Sequence, residues 1–203
     1  MSGDPFGFLT DQNTLWAVVL GAILATIGGF VATVMERTLD RRERRRNAAV
    51  FFGELLSSLA ILIRFADDTK KIGEPYGPIT LRMLRSARSE LDIYDRNRET
   101  LVDISDADLR ARIQTLVIRL SMPLDGVIEA TEEIKARREV LRSMRDPQER
   151  AELEDSIKLS EGRREAGYEF IIDNAAQLKN VIAALEPHAG TTFDRIDRIV
   201  SNT

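Results

Sequence analysis

Side chains able to do chemistry are few in this chain, and their spacing narrows them further. Its 203 residues include no cysteine and one histidine, His188. Thiol nucleophiles, disulfide frameworks, cysteine zinc motifs and paired-histidine metal sites are therefore excluded. His188 directly follows Pro187 and reads as a solvated loop residue rather than a catalyst. Asp103, Asp106 and Asp108 form an acidic cluster, but the spacing is wrong for a calcium loop and the central glycine is missing. Helix capping accounts for them. The pairs Asp67-Asp68 and Glu132-Glu133 point to different sides of a helix, so neither can share one proton as a dyad does. No Glu-x-x-His occurs, which removes the di-metal chemistry that suits helical bundles. Nor is there a Walker A loop, a dinucleotide fingerprint or a Gly-x-Ser-x-Gly elbow. The expectation is a protein that is not an enzyme, with no catalytic residue, no cofactor, no metal and no small-molecule substrate.

The dense charged cluster is basic: Arg37, Arg41, Arg42, Arg44, Arg45 and Arg46. Such a run could contact nucleic acid, but Glu36, Asp40 and Glu43 dilute it and no aromatics interleave. The formal charge of −4 also argues against a protein built to coat nucleic acid. The arginines are assigned instead to anionic lipid head groups of an inner leaflet.

What positions this cluster is the segment before it. Leu15 to Met35 (LWAVVLGAILATIGGFVATVM) carries no charge and spans about 30 Å as a helix, the thickness of a bilayer core. Its ten Leu, Ile, Val and Phe residues contribute roughly −3 to −6 kcal/mol on the insertion scale, and Trp16 sits at the interface edge. The first fourteen residues hold Asp4 and Asp11 but no Lys or Arg. The charge asymmetry predicts a single-pass helix with residues 1–14 outside and the rest in the cytoplasm. No basic leader or small-residue cleavage site marks a signal peptide. Gly21, Ala25 and Gly29, with Gly28 beside them, place small residues on one face and predict helix pairing in the membrane.

Ala48 to Ala66 (AAVFFGELLSSLAILIRFA) is equally rich in large apolar residues. Glu54 and Arg64 oppose insertion, at roughly 2.5–3.5 kcal/mol for a charge at the bilayer centre. Glu54, Ser57, Ser58, Arg64 and Asp68 trace one stripe; Phe51, Leu55, Leu59, Leu62 and Ala66 trace the opposite one. An amphipathic bundle helix continuous with the anchor is expected. A two-span hairpin, which would send the remaining domain outside, is the alternative.

The rest reads as all-α. Lys70 to Pro78 (KKIGEPYGP) is a break; short helices follow over residues 79–87 and 90–102. Ser105 and Asp108 form a capping pair for a long helix in which Leu109, Ile113, Leu116, Leu120, Leu124, Val127, Thr131 and Ile134 keep one stripe. Pro123 should kink this helix without ending it. Asp146-Pro147-Gln148-Glu149 starts a second long helix. Its stripe runs through Leu153, Ile157, Ser160, Arg164, Tyr168, Ile171, Ala175, Leu178, Ile182 and Leu185, to an end at Glu186-Pro187. The pair forms an antiparallel hairpin roughly 55–60 Å long. From about Glu132 to Arg164 its tip is mostly charged, like a thin coiled coil held by weak charge pairs. Beyond it, Phe193, Ile196, Ile199 and Val200 could cap the bundle or bind a partner. The expected organisation is an outer N-terminus (1–14), transmembrane helix (15–35), basic segment (36–47), short bundle helices (48–104), long hairpin (105–186) and tail (187–203).

The stretch Leu91-Asp92-Ile93-Tyr94-Asp95-Arg96-Asn97-Arg98-Glu99-Thr100-Leu101, followed by residues 106–120 and preceded by Glu54-Leu55, resembles a segment of uncharacterised bacterial single-pass membrane proteins. These have an N-terminal transmembrane helix and a cytoplasmic helical domain. The resemblance covers about half the chain, implies the same layout in the bacterial inner membrane, and carries no activity over. Arginine strongly outnumbering lysine agrees with a bacterial source. Tyr94 and Asn97 are read as a packing residue and a turn residue. The function expected is a membrane-anchored scaffold or adaptor that presents the hairpin to a protein partner or a second copy as a homo-oligomer. The alternative is an effector or signalling subunit that couples the helical domain to transmembrane packing.

Overall fold

The computed structural model describes residues 12–193, with side chains from residue 35 onward. In chain order the helices are α1 (Gln12–Ile72), α2 (Pro78–Asn97), a 3₁₀ helix (Arg98–Asp103), α3 (Ala107–Ser143), α4 (Pro147–Ala175) and α5 (Leu178–Ala189). No strand occurs among the described residues, so the all-α expectation holds. The chain divides into two compact units, Met1–Arg44 and Arg45–Thr203. In the first, Gly21, Ala25, Gly28 and Gly29 lie on helical backbone whose side chains fall outside the described residues.

In the second unit the core begins where the arginines stop. Ala48, Ala49, Phe52, Leu55, Leu56, Leu59, Ile63 and Ala66 are all buried, recurring every three or four residues as a packed helix face requires. Among the residues with described side chains, the stretch Met35–Ile72 is long and apolar enough to cross a membrane. Half of its most apolar window is nevertheless buried inside the protein, and those buried residues belong to the main core. The residues 48–66 thus pack as a core helix. The buried face is rotated from the sequence reading: Phe52, Leu56 and Ile63 are buried where Phe51 and Leu62 were expected, and those two are half-buried. Ser57, expected on the polar side, is buried and donates to the Gly53 carbonyl at 2.7 Å.

Four boundaries differ from the sequence reading. The two short helices after the break are one helix, α2, followed by the 3₁₀ turn. Nothing interrupts residues 79–97 because Leu84, Ala87, Leu91 and Tyr94 form one continuous buried stripe. Asp106, not Ser105, caps α3, accepting from the Leu109 N–H at 3.0 Å. The second long helix is divided: Gln177 N–H bonds to Asn174 and Asn180 N–H to Gln177 in 3₁₀ fashion. Ala176 and Gln177 keep right-handed helical dihedrals, so the stripe stays in phase across the tightened turn. Finally, α5 does not stop at Pro187, which sits in its last turn where one lost bond matters little. It ends at Gly190, whose φ of +66° gives the left-handed cap and whose N–H bonds to the Glu186 carbonyl at 2.9 Å. His188 is accordingly helical and half-buried rather than in a loop.

The continuation of α3 and the start of α4 follow the sequence reading. Pro123 lies inside α3 without ending it. Asp146 caps α4, accepting from Gln148 N–H at 2.8 Å and Glu149 N–H at 3.4 Å, with Pro147 in the first turn. Along the α3–α4 hairpin, burial continues through Thr131 and Ile134 to Ile157 and Ser160, and beyond them nearly every side chain is exposed or half-exposed. There Arg137 donates to Ser156 and, at 3.1 Å, to Ser160, while Arg138 pairs with Glu161 at 2.5 Å.

Of the tail, the described residues reach Phe193. Phe193 is buried, and its ring lies where a Gly53 side chain would be: a Cβ there would stand 2.0 Å from Cζ. Ile196, Ile199 and Val200 lie outside the described residues. Gly53→Ala should therefore expel the Phe193 ring and destabilise the fold by about 1–3 kcal/mol. In a Phe193→Ala background the same change should be nearly neutral. Thermal unfolding of the four chains checks this, and additive effects would refute the contact.

Candidate functional site

The segment Glu74-Pro75-Tyr76-Gly77 reverses the chain between α1 and α2 through a bond from Gly77 N–H to the Glu74 carbonyl at 2.9 Å. With proline second and a positive φ third, it follows the type II pattern, whose third position normally takes glycine. Here that position is Tyr76, at φ +59°, the sole non-glycine with positive φ among the described residues. Holding an aromatic residue there costs roughly 1–3 kcal/mol and requires surroundings that enforce it.

Those surroundings come from α1 and α4. The buried rings of Tyr76 and Tyr168 meet edge to face, with centroids 5.6 Å apart. Lys70 places its Nζ 4.1 Å from the Tyr168 centroid and 5.0 Å from that of Tyr76, and pairs with Glu165. Tyr76 Oη donates to Glu165 Oε2 at 2.6 Å. Arg164 stacks on Tyr76, its Cζ 3.9 Å from the ring centroid. Cations over aromatic faces contribute about 0.5–2 kcal/mol each. Burial, reinforced by Glu165 and Asp67 respectively, pushes both phenols well above their ordinary range. They therefore remain hydrogen-bond donors at neutral pH.

Glu165 sets the pH response of this clasp. Partial burial alone would raise its carboxyl, but the bonds from Lys70 and Tyr76 outweigh it and hold the group below the usual carboxylate range. A depressed folded-state value means the stabilisation is present above the unfolded value near 4.3 and is lost as pH falls through the lower folded value. Glu165→Gln should lower Tm modestly at pH 7 and progressively less below about pH 4, as both chains converge. A gap that stays constant from pH 7 to pH 3 would contradict the assignment.

Next to the clasp, an open groove of about 1340 Å³ separates the 74–78 turn and the first half of α2 from α3. Arg85 bridges it to Glu132 at 2.5 Å. One stage further along, Arg88 joins Asp125 at 2.7 Å, and this pairing raises the guanidinium above its ordinary value. Together these bonds set α2 antiparallel to α3. Arg164 lines the groove from behind Tyr76, and its Nε is buried without a hydrogen-bond partner among the described residues.

The residues singled out from sequence are dispersed. Arg37, Arg41, Arg42, Arg44, Arg45 and Arg46 are exposed, but Arg46 Nε donates to the Ala189 carbonyl at 3.2 Å and so also closes the end of α5. Tyr94 is buried against Phe52, and Asn97 donates to the Ile93 carbonyl at 2.8 Å: packing and turn roles. Asp103 and Asp108 do not join Asp106 in a cation site, as no group of three or more His, Asp or Glu able to hold a metal occurs among the described residues. The clasp and groove were missed. Their signal was a cation, Arg164, in an apolar stripe, and tyrosine where Glu-Pro-x-Gly favours glycine.

The chain matches no protein-family model, no curated protein and no solved structure.

Proposed function

We propose that the chain is a single-pass, membrane-anchored helical scaffold of the bacterial inner membrane, with its N-terminus outside and the helical domain in the cytoplasm. In this reading the α3–α4 hairpin acts as a coiled-coil arm offered to a protein partner or to a second copy. The observation that carries it is the hairpin itself: α3 and α4 run on past Ile134 and Ile157, where they add almost nothing to the core. Support also comes from the uncharged stretch of residues 15–35 and the exposed arginines after it, suited to a bilayer and its anionic head groups.

The test is the oligomeric mass of the detergent-solubilised chain, measured with and without its hairpin tip, alongside the proteins that co-purify. Loss of an oligomer or of a reproducible partner when the tip is shortened supports the scaffold. A monodisperse monomer without partners, or a chain released from membranes by alkaline carbonate, overturns it. Gly21→Leu and Gly29→Leu test whether the anchor contributes to pairing. A second reading, a signalling or effector subunit, draws on the unbroken α1 from Gln12 to Ile72. It requires that a three-residue insertion near Arg41 abolish function, whereas a scaffold tolerates a flexible insertion there.

A further inference from the structure

The groove beside Tyr76 has an uneven charge balance. Most of its ionic groups are already engaged: Arg85 holds Glu132, Arg142 holds Glu139, and Arg138 reaches out to Glu161. Arg82, Lys135 and Arg164 also line it, and none of the three has an ion pair among the described residues. Glu74 lines the groove with them, and Glu165 lies within electrostatic reach of Arg164. Arg82 on α2 and Lys135 on α3 stand on opposite walls of this groove. The groove thus holds more cations than carboxylates, an imbalance that a bound anion would relieve.

Arg164 adds a different kind of donor. Its guanidinium lies over the Tyr76 ring, Cζ 3.9 Å from the centroid, with Nε buried, so the terminal N–H groups are the ones left to meet a ligand. A pre-ordered guanidinium edge recognises phosphate bidentately at reduced entropic expense. Gly77 and Pro78 also line the groove, where α2 begins without a side-chain cap and its dipole favours an anion. The strained Tyr76 is what brings the stacked guanidinium and the helix start together.

The geometry points to a binding site for a multiply charged phosphate group, held by Arg82, Lys135 and Arg164. A stacked guanidinium edge with further cations on the same groove suits a phosphate monoester or diphosphate. Such a ligand would link the 74–78 turn to α3 and stiffen the clasp.

The experiment titrates inorganic pyrophosphate into the full chain in neutral detergent at fixed ionic strength, reading calorimetric heat and Tm. Expected is saturable binding that raises Tm. In Arg82→Ser/Lys135→Ser, two exposed positions whose change should leave helicity intact, affinity should fall more than about tenfold. Arg112→Ser/Arg119→Ser, remote on α3, should bind like the parent. No saturable binding, equal weakening in both variants, or tighter binding of hexaglutamate than of pyrophosphate overturns the proposal. Competition separates the sources of phosphate. Displacement of pyrophosphate by phosphatidate in mixed micelles, and not by phosphatidylcholine, identifies a lipid head group. Displacement by glycerol phosphate alone identifies a soluble ester.

Discussion

Phe52→Ala is expected to destabilise the helical domain by about 3–5 kcal/mol, the usual range for emptying a buried aromatic site. Phe52 is fully buried, and its ring meets Phe51 at 5.2 Å and Tyr94 at 5.8 Å, both in tilted or edge-on geometry. The two contacts add to simple area burial, and α1 cannot close the void without moving Leu56 and Leu59, which are themselves fully buried. For a domain of this size the loss corresponds to a Tm drop of roughly 10 °C or more. Thermal unfolding of the chain in mild detergent, followed by circular dichroism, provides the measurement. It also separates the two readings of residues 48–66. On a second membrane span Phe52 would face lipid, and its truncation would leave Tm nearly unchanged.

The second large effect is at Tyr76, and it carries a sign that contact counting would miss. Tyr76→Ala removes a buried ring, its bond to Glu165 and two cation contacts, for an expected loss of about 3 kcal/mol. Alanine keeps the unfavourable φ. Tyr76→Gly loses the same contacts but relieves that strain, so it should be the milder change by about 1 kcal/mol. Tyr76→Phe isolates the hydroxyl and should lose only about 1 kcal/mol. Glycine equal to or worse than alanine would show that the turn relaxes without its ring. Because Tyr76 also presents Arg164 to the groove, pyrophosphate affinity should fall in Tyr76→Ala and survive better in Tyr76→Phe.

What could be read from the chain follows from the range of the interactions involved. Local signals were sufficient for the Asp146-Pro147 helix start, for the persistence of α3 through Pro123 and for residues 48–66 forming a packed helix, though not for which face is buried. Apolar periodicity could not show the 3₁₀ tightening at Ala176-Gln177, because both residues keep helical dihedrals and the stripe does not shift. The end of α5 was misplaced because proline is a weak breaker in a last turn, whereas Gly190 three residues later supplies the positive φ. The clasp was beyond local reach. Lys70 and Tyr76 meet Arg164, Glu165 and Tyr168 from about ninety residues away, and no spacing rule connects them.

The hairpin also behaves as a gauge of distance. Arg137, bonded to Ser156 and Ser160, locks one arm to the other where the apolar seam is running out. Beyond that lock the arms are constrained by little except helical phase. Seven residues added to each arm would keep that phase to within about 20° and extend the reach by about 10 Å, leaving the base untouched. Length in this arm is therefore a quantity that can drift or be engineered in steps. The span between the domain and whatever meets the tip is set by counting turns, independently of how the core is packed.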